Sequence, residues 1–215
     1  MEKLFYPRSI AMIGASQDAR KWGFTVLANI IRGGYQGKLY PVNPRADEIL
    51  GLKTYRRVQE IPGEVDLAII CVPGPKVLDA LRDCIQKRIP FVYVISSGFS
   101  ETGPEGERLE EELVRVAREG KIKLAGPNGQ GILNTHHNLL ALMSGVAPRK
   151  GSISIVSQSG NVGRSMMSLA SRYNIGIDKF ISSGNEALLS TDDYLCYLHQ
   201  NPHTKVILIY IEAVS

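Results

Sequence analysis

Short apolar runs alternate with amphipathic segments along the first 130 residues. Ile10 to Ile13 is an apolar run that meets Gly14, and the spacing predicts a strand. "GFTVLANIIRGG" follows as a helix that Gly33 and Gly34 end. "KLYPVNP" reads as a strand stopped by Pro44. "DLAIICVP" is continuously apolar, the pattern of a strand covered on both faces. "PKVLDALRDCIQKR" places Val77, Leu78, Leu81 and Ile85 on one side of a helix. "FVYVISSGF" is another buried strand, and "EGERLEEELVRVAREG" is a charged helix with Leu109, Leu113 and Val116 inward, closed by Gly120. "IKLAGPNG" supplies the next strand.

Repeated β-α-β units with buried strands predict an α/β fold with a doubly wound parallel sheet over residues 1–133. Periodicity is then lost, and residues 134–150, "NTHHNLLALMSGVAPRK", read as a connector. A second alternating series occupies 151–215. It comprises the strand "SISIVSQSG", a helix from Asn161 to Tyr173, the strand "DKFISSG", the helix "TDDYLCYLHQ" and the strand "KVILIYIEA". About three strands are few for such a sheet, which usually carries ~4–6. The expectation is therefore a partial second domain and the front part of a longer protein.

Composition narrows the function classes. The chain has 215 residues, 44% hydrophobic and 21% charged, with a formal net charge of +4. That charge is too mild for nucleic acid but suits an anionic small ligand. The start has no signal-peptide core, and no apolar run reaches the ~20 residues of a membrane span. Cys71, Cys84 and Cys196 lack metal spacing and read as reduced core thiols, so a cytoplasmic protein with no metal is expected. His136, His137, His199 and His203 read as surface residues; Pro202 breaks the helical spacing of the last two.

The candidate chemistry starts at the turn after the first strand. A helix N-terminus there offers free N–H groups to an anion. Gly14, Ala15 and Ser16 are small enough for close approach, and Arg20 and Lys21 add charge. The dinucleotide fingerprint is broken, because Ser16 and Ala19 stand where its later glycines belong. An acid for the ribose hydroxyls of NAD is also missing after "YPVN"; Arg45 there suits a phosphorylated ribose, as in NADP or coenzyme A. Val72 and Pro73 offer an apolar wall to an adenine, and Ser97 and Gly98 a hydroxyl and backbone contact. A second helix N-terminus follows "IVSQSG", with Ser157, Ser159, Gly160 and Asn161 as a further anion site.

In order and spacing, "IGAS", "GYQGKLYPVNPRADEILGLKTY", "VDLAIICVP", "SSGFSETGPEGERLEEEL", "GPNGQGILN", "SISIVSQSGNVG", "SSGNEALLSTDDYLCYL" and "TKVILIYIE" resemble the ADP-forming acyl-CoA synthetases and the related succinyl-CoA synthetase alpha subunit. The resemblance implies a Rossmann-like CoA-binding domain followed by a flavodoxin-like ligase domain. It implies that Gly14, Ser16, Gln17 and Lys21 form the CoA phosphate turn, that Arg45 lies near a basic CoA contact, that Val72 and Pro73 face the adenosine, and that Ser96, Ser97 and Gly98 meet the CoA arm. Asn128 and Gly129 fall in the loop near the thioester, where the family usually has cysteine in place of Gly129. Ser157, Ser159, Gly160 and Asn161 fall at the phosphate, and Glu212 matches a glutamate that orients a phosphohistidine.

The implied reaction interconverts acyl-CoA, ADP and phosphate with carboxylate, ATP and CoA. The histidine segment and the nucleotide-grasp domain or beta subunit, where Mg-ATP or ADP would bind, have no counterpart in this sequence. A homo- or hetero-oligomer is compatible with this. Two other readings stay open at the sequence level: a CoA-sensing module of a protein acetyltransferase, and an NADP-dependent oxidoreductase.

Overall fold

The structure, a computed structural model, describes residues 1–213. The apolar run from Ile10 to Ile13 is buried on both faces, and β1 (Ser9–Ile13) is accordingly an inner strand of the first sheet. After the one-turn α1 (Glu2–Phe5) come β1, α2 (Trp22–Arg32), β2 (Lys38–Val42) and a ribbon of β3 (Glu48–Ile49) and β4 (Leu52–Lys53). Then follow β5 (Leu67–Ile70), α3 (Val77–Gln86), β6 (Phe91–Val94), α4 (Pro104–Glu119) and β7 (Lys123–Ala125). The order is β2-β1-β5-β6-β7, parallel throughout. The chain leaves β1 toward one edge and returns to β5 on its other side. That switch point is where open α/β sheets bind ligands, beyond the carboxyl ends of the strands.

The second sheet departs from expectation. It contains β8 (Gly131–Asn134), β9 (Leu139–Leu142), β10 (Lys150–Ser157), β11 (Ile177–Ser182) and β12 (Val206–Tyr210), with α5 (Gly160–Arg172) and α6 (Thr191–His199) between them. Its order is β12-β10-β11-β8-β9. The first three strands are parallel, and a hairpin of β8 and β9 adds two antiparallel ones. The expected three-strand sheet thus has five strands, and the expected connector contributes one of them. "LLAL" is buried at all four positions, so neither alternation nor a helical period marks it. Asn138 makes the turn into it with φ +54, a left-handed angle that asparagine tolerates.

The sheets share one core. Ile10, Met12, Leu67, Ile69 and Tyr93 of the first sheet pack in the same buried cluster as Ile132, Ala141, Val156 and Ile181 of the second. Several polar groups inside this interface are paired, as burial demands, while the buried Ser182 and Tyr194 hydroxyls have no protein partner. The Tyr93 hydroxyl donates to the Ser182 carbonyl at 2.6 Å and accepts from the Gly131 amide at 2.9 Å. Asn29 Nδ2 of α2 donates to the carbonyls of Leu142 (2.7 Å) and Ser144 (2.9 Å). Asn134 Nδ2 donates to the Phe5 carbonyl at 2.9 Å.

Two further sequence expectations are corrected. Cys84 is buried, but Cys71 is only partly covered and Cys196 is exposed, because α6 turns Tyr194 and Leu198 inward instead. His136 and His137 are half-buried rather than superficial. His137 Nε2 donates to the Pro7 carbonyl at 2.8 Å, and His136 Nε2 donates to the Gly151 carbonyl at 3.0 Å while its ring stacks on His203. Both therefore have structural partners. Among the described residues no helix is long and apolar enough to cross a membrane.

Tyr93→Phe removes one hydroxyl and strands the Gly131 amide and the Ser182 carbonyl in the shared core. The expected cost is about 1–3 kcal/mol of stability, read by urea unfolding of the variant beside the native chain; an unchanged midpoint contradicts the clamp.

Candidate functional site

A cleft of about 700 Å³ lies across the carboxyl ends of both sheets. Six turns build it. Gly14 follows β1, Cys71 to Gly74 follow β5, Ile95 to Ser97 follow β6, and Asn128 to Gln130 follow β7. Gln158 to Asn161 follow β10, and Glu212 follows β12. The volume is within the ~300–1,000 Å³ of ordinary small-molecule sites.

Gly14 is a glycine for two reasons. Its φ is +90, and a Cβ there would run into the carbonyl of Cys71. A Cβ on Gly23 would likewise strike the Gly14 carbonyl, so the first turn of α2 is pressed against the end of β1. Trp22, Gly23 and Lys21 thereby reach the cleft wall. Arg20 also reaches it, but its guanidinium is held by Asp18 at 3.0 Å, and that hydrogen bond keeps the Asp18 carboxyl below its ordinary range.

The start of α5 forms another corner of the cleft. Ser159 caps the helix, its Oγ accepting from the Val162 amide at 3.4 Å. The buried Ser157 donates its hydroxyl to the Ser159 carbonyl at 2.6 Å, which shapes the turn. The first amides of α5, at Gly160 and Asn161, border the cleft, and first-turn amides lack partners within a helix. Gln130 lies across this end and donates to Asn161 Oδ1 at 3.2 Å.

The walls explain two residue choices. A Cβ at Gly129 would meet the Tyr93 hydroxyl and the Ser182 carbonyl, so the interface clamp occupies the space of a side chain there. Cys71 is partly buried, and that burial pushes its thiol up to about 11, leaving it protonated near neutrality and a poor nucleophile.

Of the residues singled out by sequence, the cleft brings together Gly14, Lys21, Val72, Pro73, Ser96, Ser97, Asn128, Gly129, Ser159, Gly160, Asn161 and Glu212. Five others do not line it. Ser16 is buried and its Oγ accepts from the Asp18 amide at 3.0 Å. Gln17 donates to the Glu48 carbonyl at 2.9 Å. Arg45 is exposed outside the cleft, Gly98 turns with φ +103 behind Ser97, and Ser157 lies beneath Ser159.

Sequence reasoning missed Gln158. Its Oε1 accepts from the amides of Glu212 (2.7 Å) and Ala213 (3.1 Å), while its Nε2 donates to the Ala213 carbonyl at 3.0 Å. One side chain thus fixes the backbone that carries Glu212 into the cleft. An amide between the two serines of "SQSG", beside a predicted anion turn, was the available signal. No group of three or more His, Cys, Asp or Glu suited to a metal occurs among the described residues.

Residues 8–135 match the CoA binding domain family, and residues 150–215 match the succinyl-CoA ligase like flavodoxin domain. The chain is 46% identical over its whole length to the alpha subunit of acetate–CoA ligase [ADP-forming] II from Pyrococcus furiosus, covering 47% of that protein. It is 45% identical over its whole length to acetate–CoA ligase [ADP-forming] I from Archaeoglobus fulgidus, covering 31% of it. All of the chain also superposes, with a TM-score of 0.96 and 42% identity, on 46% of a dinucleotide-forming acetyl-coenzyme A synthetase 1 from Ca. Korarchaeum cryptofilum solved with phosphate and ADP. The chain thus spans about half or less of each of these proteins.

Gln158→Ala should free the Glu212 segment without disturbing either sheet. Amide exchange at Glu212 and Ala213 is expected to speed up about tenfold, the weight of a typical net hydrogen bond, by mass-resolved hydrogen exchange. Unchanged exchange there sinks the positioning role of Gln158.

Proposed function

The chain belongs to the ADP-forming acyl-CoA synthetase family, and on that footing we propose that its cleft binds coenzyme A and inorganic phosphate for the reversible conversion of acyl-CoA, ADP and phosphate into carboxylate, ATP and CoA. The observation that carries the reading is the meeting of two helix N-termini, those of α2 and α5, on one cleft. One can take a phosphorylated carrier and the other a free phosphate.

In this reading Gly14, Lys21 and the first turn of α2 hold the CoA diphosphate, and Val72 and Pro73 flank the adenosine. Ser96 and Ser97 lie along the arm, which brings the thioester toward Asn128 and Gly129. Phosphate sits against Gly160 and Asn161, with Glu212 opposite. Phosphate attack on the thioester carbonyl expels the CoA thiolate and leaves an acyl phosphate. The chain's own part is to hold the two reactants in one volume and to meet their charge with backbone amides. Ser16, Gln17, Gly98 and Ser157 would act from behind, by shaping the turns, while Arg45 stays exposed outside the cleft.

Asn43 argues against a dinucleotide. It stands at the end of β2, where an acid would bind the ribose of NAD. Its Nδ2 donates to the Ala15 carbonyl at 2.7 Å and its Oδ1 accepts from the amides of Arg45 and Ala46. Every polar atom of that side chain is already engaged in holding the turn. The relatives named above are acid–thiol ligases, which supports a ligase over a sensing module. Because one of them is an alpha subunit, we infer that a nucleotide-binding subunit or domain completes the site for ADP.

Isothermal titration of the chain with CoA, dephospho-CoA, NAD and NADP tests this reading. Both CoA forms should bind at least about tenfold more tightly than either dinucleotide, a difference of ~1.4 kcal/mol. Equal or tighter binding of NAD or NADP overturns it.

A further inference from the structure

Behind the cleft, Asn185 joins segments that are far apart in sequence. It follows β11, and its backbone amide donates to the Pro127 carbonyl at 3.0 Å. Its side-chain Oδ1 accepts from Asn128 Nδ2 at 3.2 Å. Its Nδ2 lies 2.7 Å from Oε2 of Glu101 and 2.7 Å from Oε2 of Glu110, with Ser100 Oγ at 3.1 Å. Carboxylates only accept, so the two hydrogens of this amide must face them, and the oxygen must face Asn128. The orientation of Asn185 is therefore dictated by its neighbours.

Glu101 carries the link onward. Its Oε1 accepts from the Gly98 amide at 2.6 Å, and its Oε2 accepts from the Phe99 amide at 3.2 Å. These are the amides of the turn that ends β6 and presents Ser96 and Ser97 to the cleft. Gly98 holds φ +103, an angle its own chain does not enforce, so the turn needs an external anchor. Partial burial works against the Glu101 charge, but the bonds from Asn185 and from the Gly98 and Phe99 amides outweigh it and hold the carboxyl below its ordinary range.

From this geometry we propose that Asn185, acting through Glu101 and Asn128, is a positioning residue that sets the Ser97–Gly98 turn and the Asn128–Gly129 turn in the arrangement that receives the arm of coenzyme A. Asn185 itself does not line the cleft. It belongs to the second sheet's segment, whereas both turns it holds end strands of the first. Docking of the second sheet thus completes the CoA side of the site. Loss of the amide leaves Glu101 and Glu110 facing each other without a shared donor, and their repulsion pulls Glu101 off the Gly98 turn.

The inference rests on the reading of the cleft as a CoA site, and two measurements separate its failure from the failure of that reading. The first uses no ligand. In Asn185→Ala, hydrogen exchange at the Gly98 and Phe99 amides should quicken about tenfold, with exchange in β1 and β5 unchanged. The second is CoA titration, in which Asn185→Ala should weaken binding about tenfold at an unchanged unfolding temperature. Asn185→Asp keeps the shape but adds a third carboxylate beside Glu101 and Glu110. It should bind CoA poorly at pH 8 and regain most of its affinity at pH 5, where a protonated acid can again donate; the native chain should show no such recovery. If Asn185→Ala does not fold, the Asn185→Asp comparison decides alone. Native Gly98 exchange in Asn185→Ala, or native CoA affinity in Asn185→Asp at pH 8, overturns the proposal. A native chain that binds no CoA while Gly98 exchange still depends on Asn185 overturns the ligand reading and leaves the anchoring standing.

Discussion

Tyr93 stands on β6, an inner strand of the first sheet, and its hydroxyl reaches into the second, bonded at 2.6 Å to Ser182 and at 2.9 Å to Gly131. Around it the inner faces of both sheets form one apolar core. Burial of that surface is the dominant favourable term, worth ~25 cal/mol per Å² removed from water. The hydroxyl bonds add little net energy, but they fix register, because a shift between the sheets would leave buried polar groups unpaired. Everything in the cleft depends on this registration. The starts of α2 and α5 come from different sheets and border the same volume only while the sheets stay docked.

The electrostatics are correspondingly modest and cumulative. A helix N-terminus attracts an anion by ~0.3–1 kcal/mol when exposed. Two such ends, with Lys21 close to one of them, supply a diffuse positive field rather than a single strong contact. Much of Arg20's charge is already answered by Asp18. At the end of β2, Asn43 commits both of its polar atoms to the adjacent turn. The cleft also has little nucleophilic chemistry of its own, since Cys71 stays protonated and none of the four histidines lines it.

Much of the first sheet was legible in the sequence, because its strands are continuous apolar runs such as Ile10–Ile13 and its helices carry a clean period, as with Val77, Leu78 and Leu81. The hairpin of β8 and β9 was not, because four consecutive buried residues show no period at all. Glycine positions announced the two turns, at Gly14 and Gly160, that border the cleft. The residues that hold those turns in place were hidden by distance along the chain. Asn29 bonds a carbonyl 113 residues away, Tyr93 one 89 residues away, and Gln158 an amide 54 residues away. Asn29 had a faint signal, a lone amide on the apolar face of "VLANII". Asn185 had none, because its partners gather only when both sheets are formed.

The central claim is that one ligand-binding volume spans both sheets. Titration of the ¹⁵N-labelled chain with CoA, followed by amide chemical shifts, tests it most directly. The account predicts saturable shifts at Gly14 and Gly23 on the first sheet together with Gln130, Gly160 and Asn161 at the second, all with one dissociation constant. Shifts confined to the first sheet, or two groups of amides titrating with different constants, would contradict it.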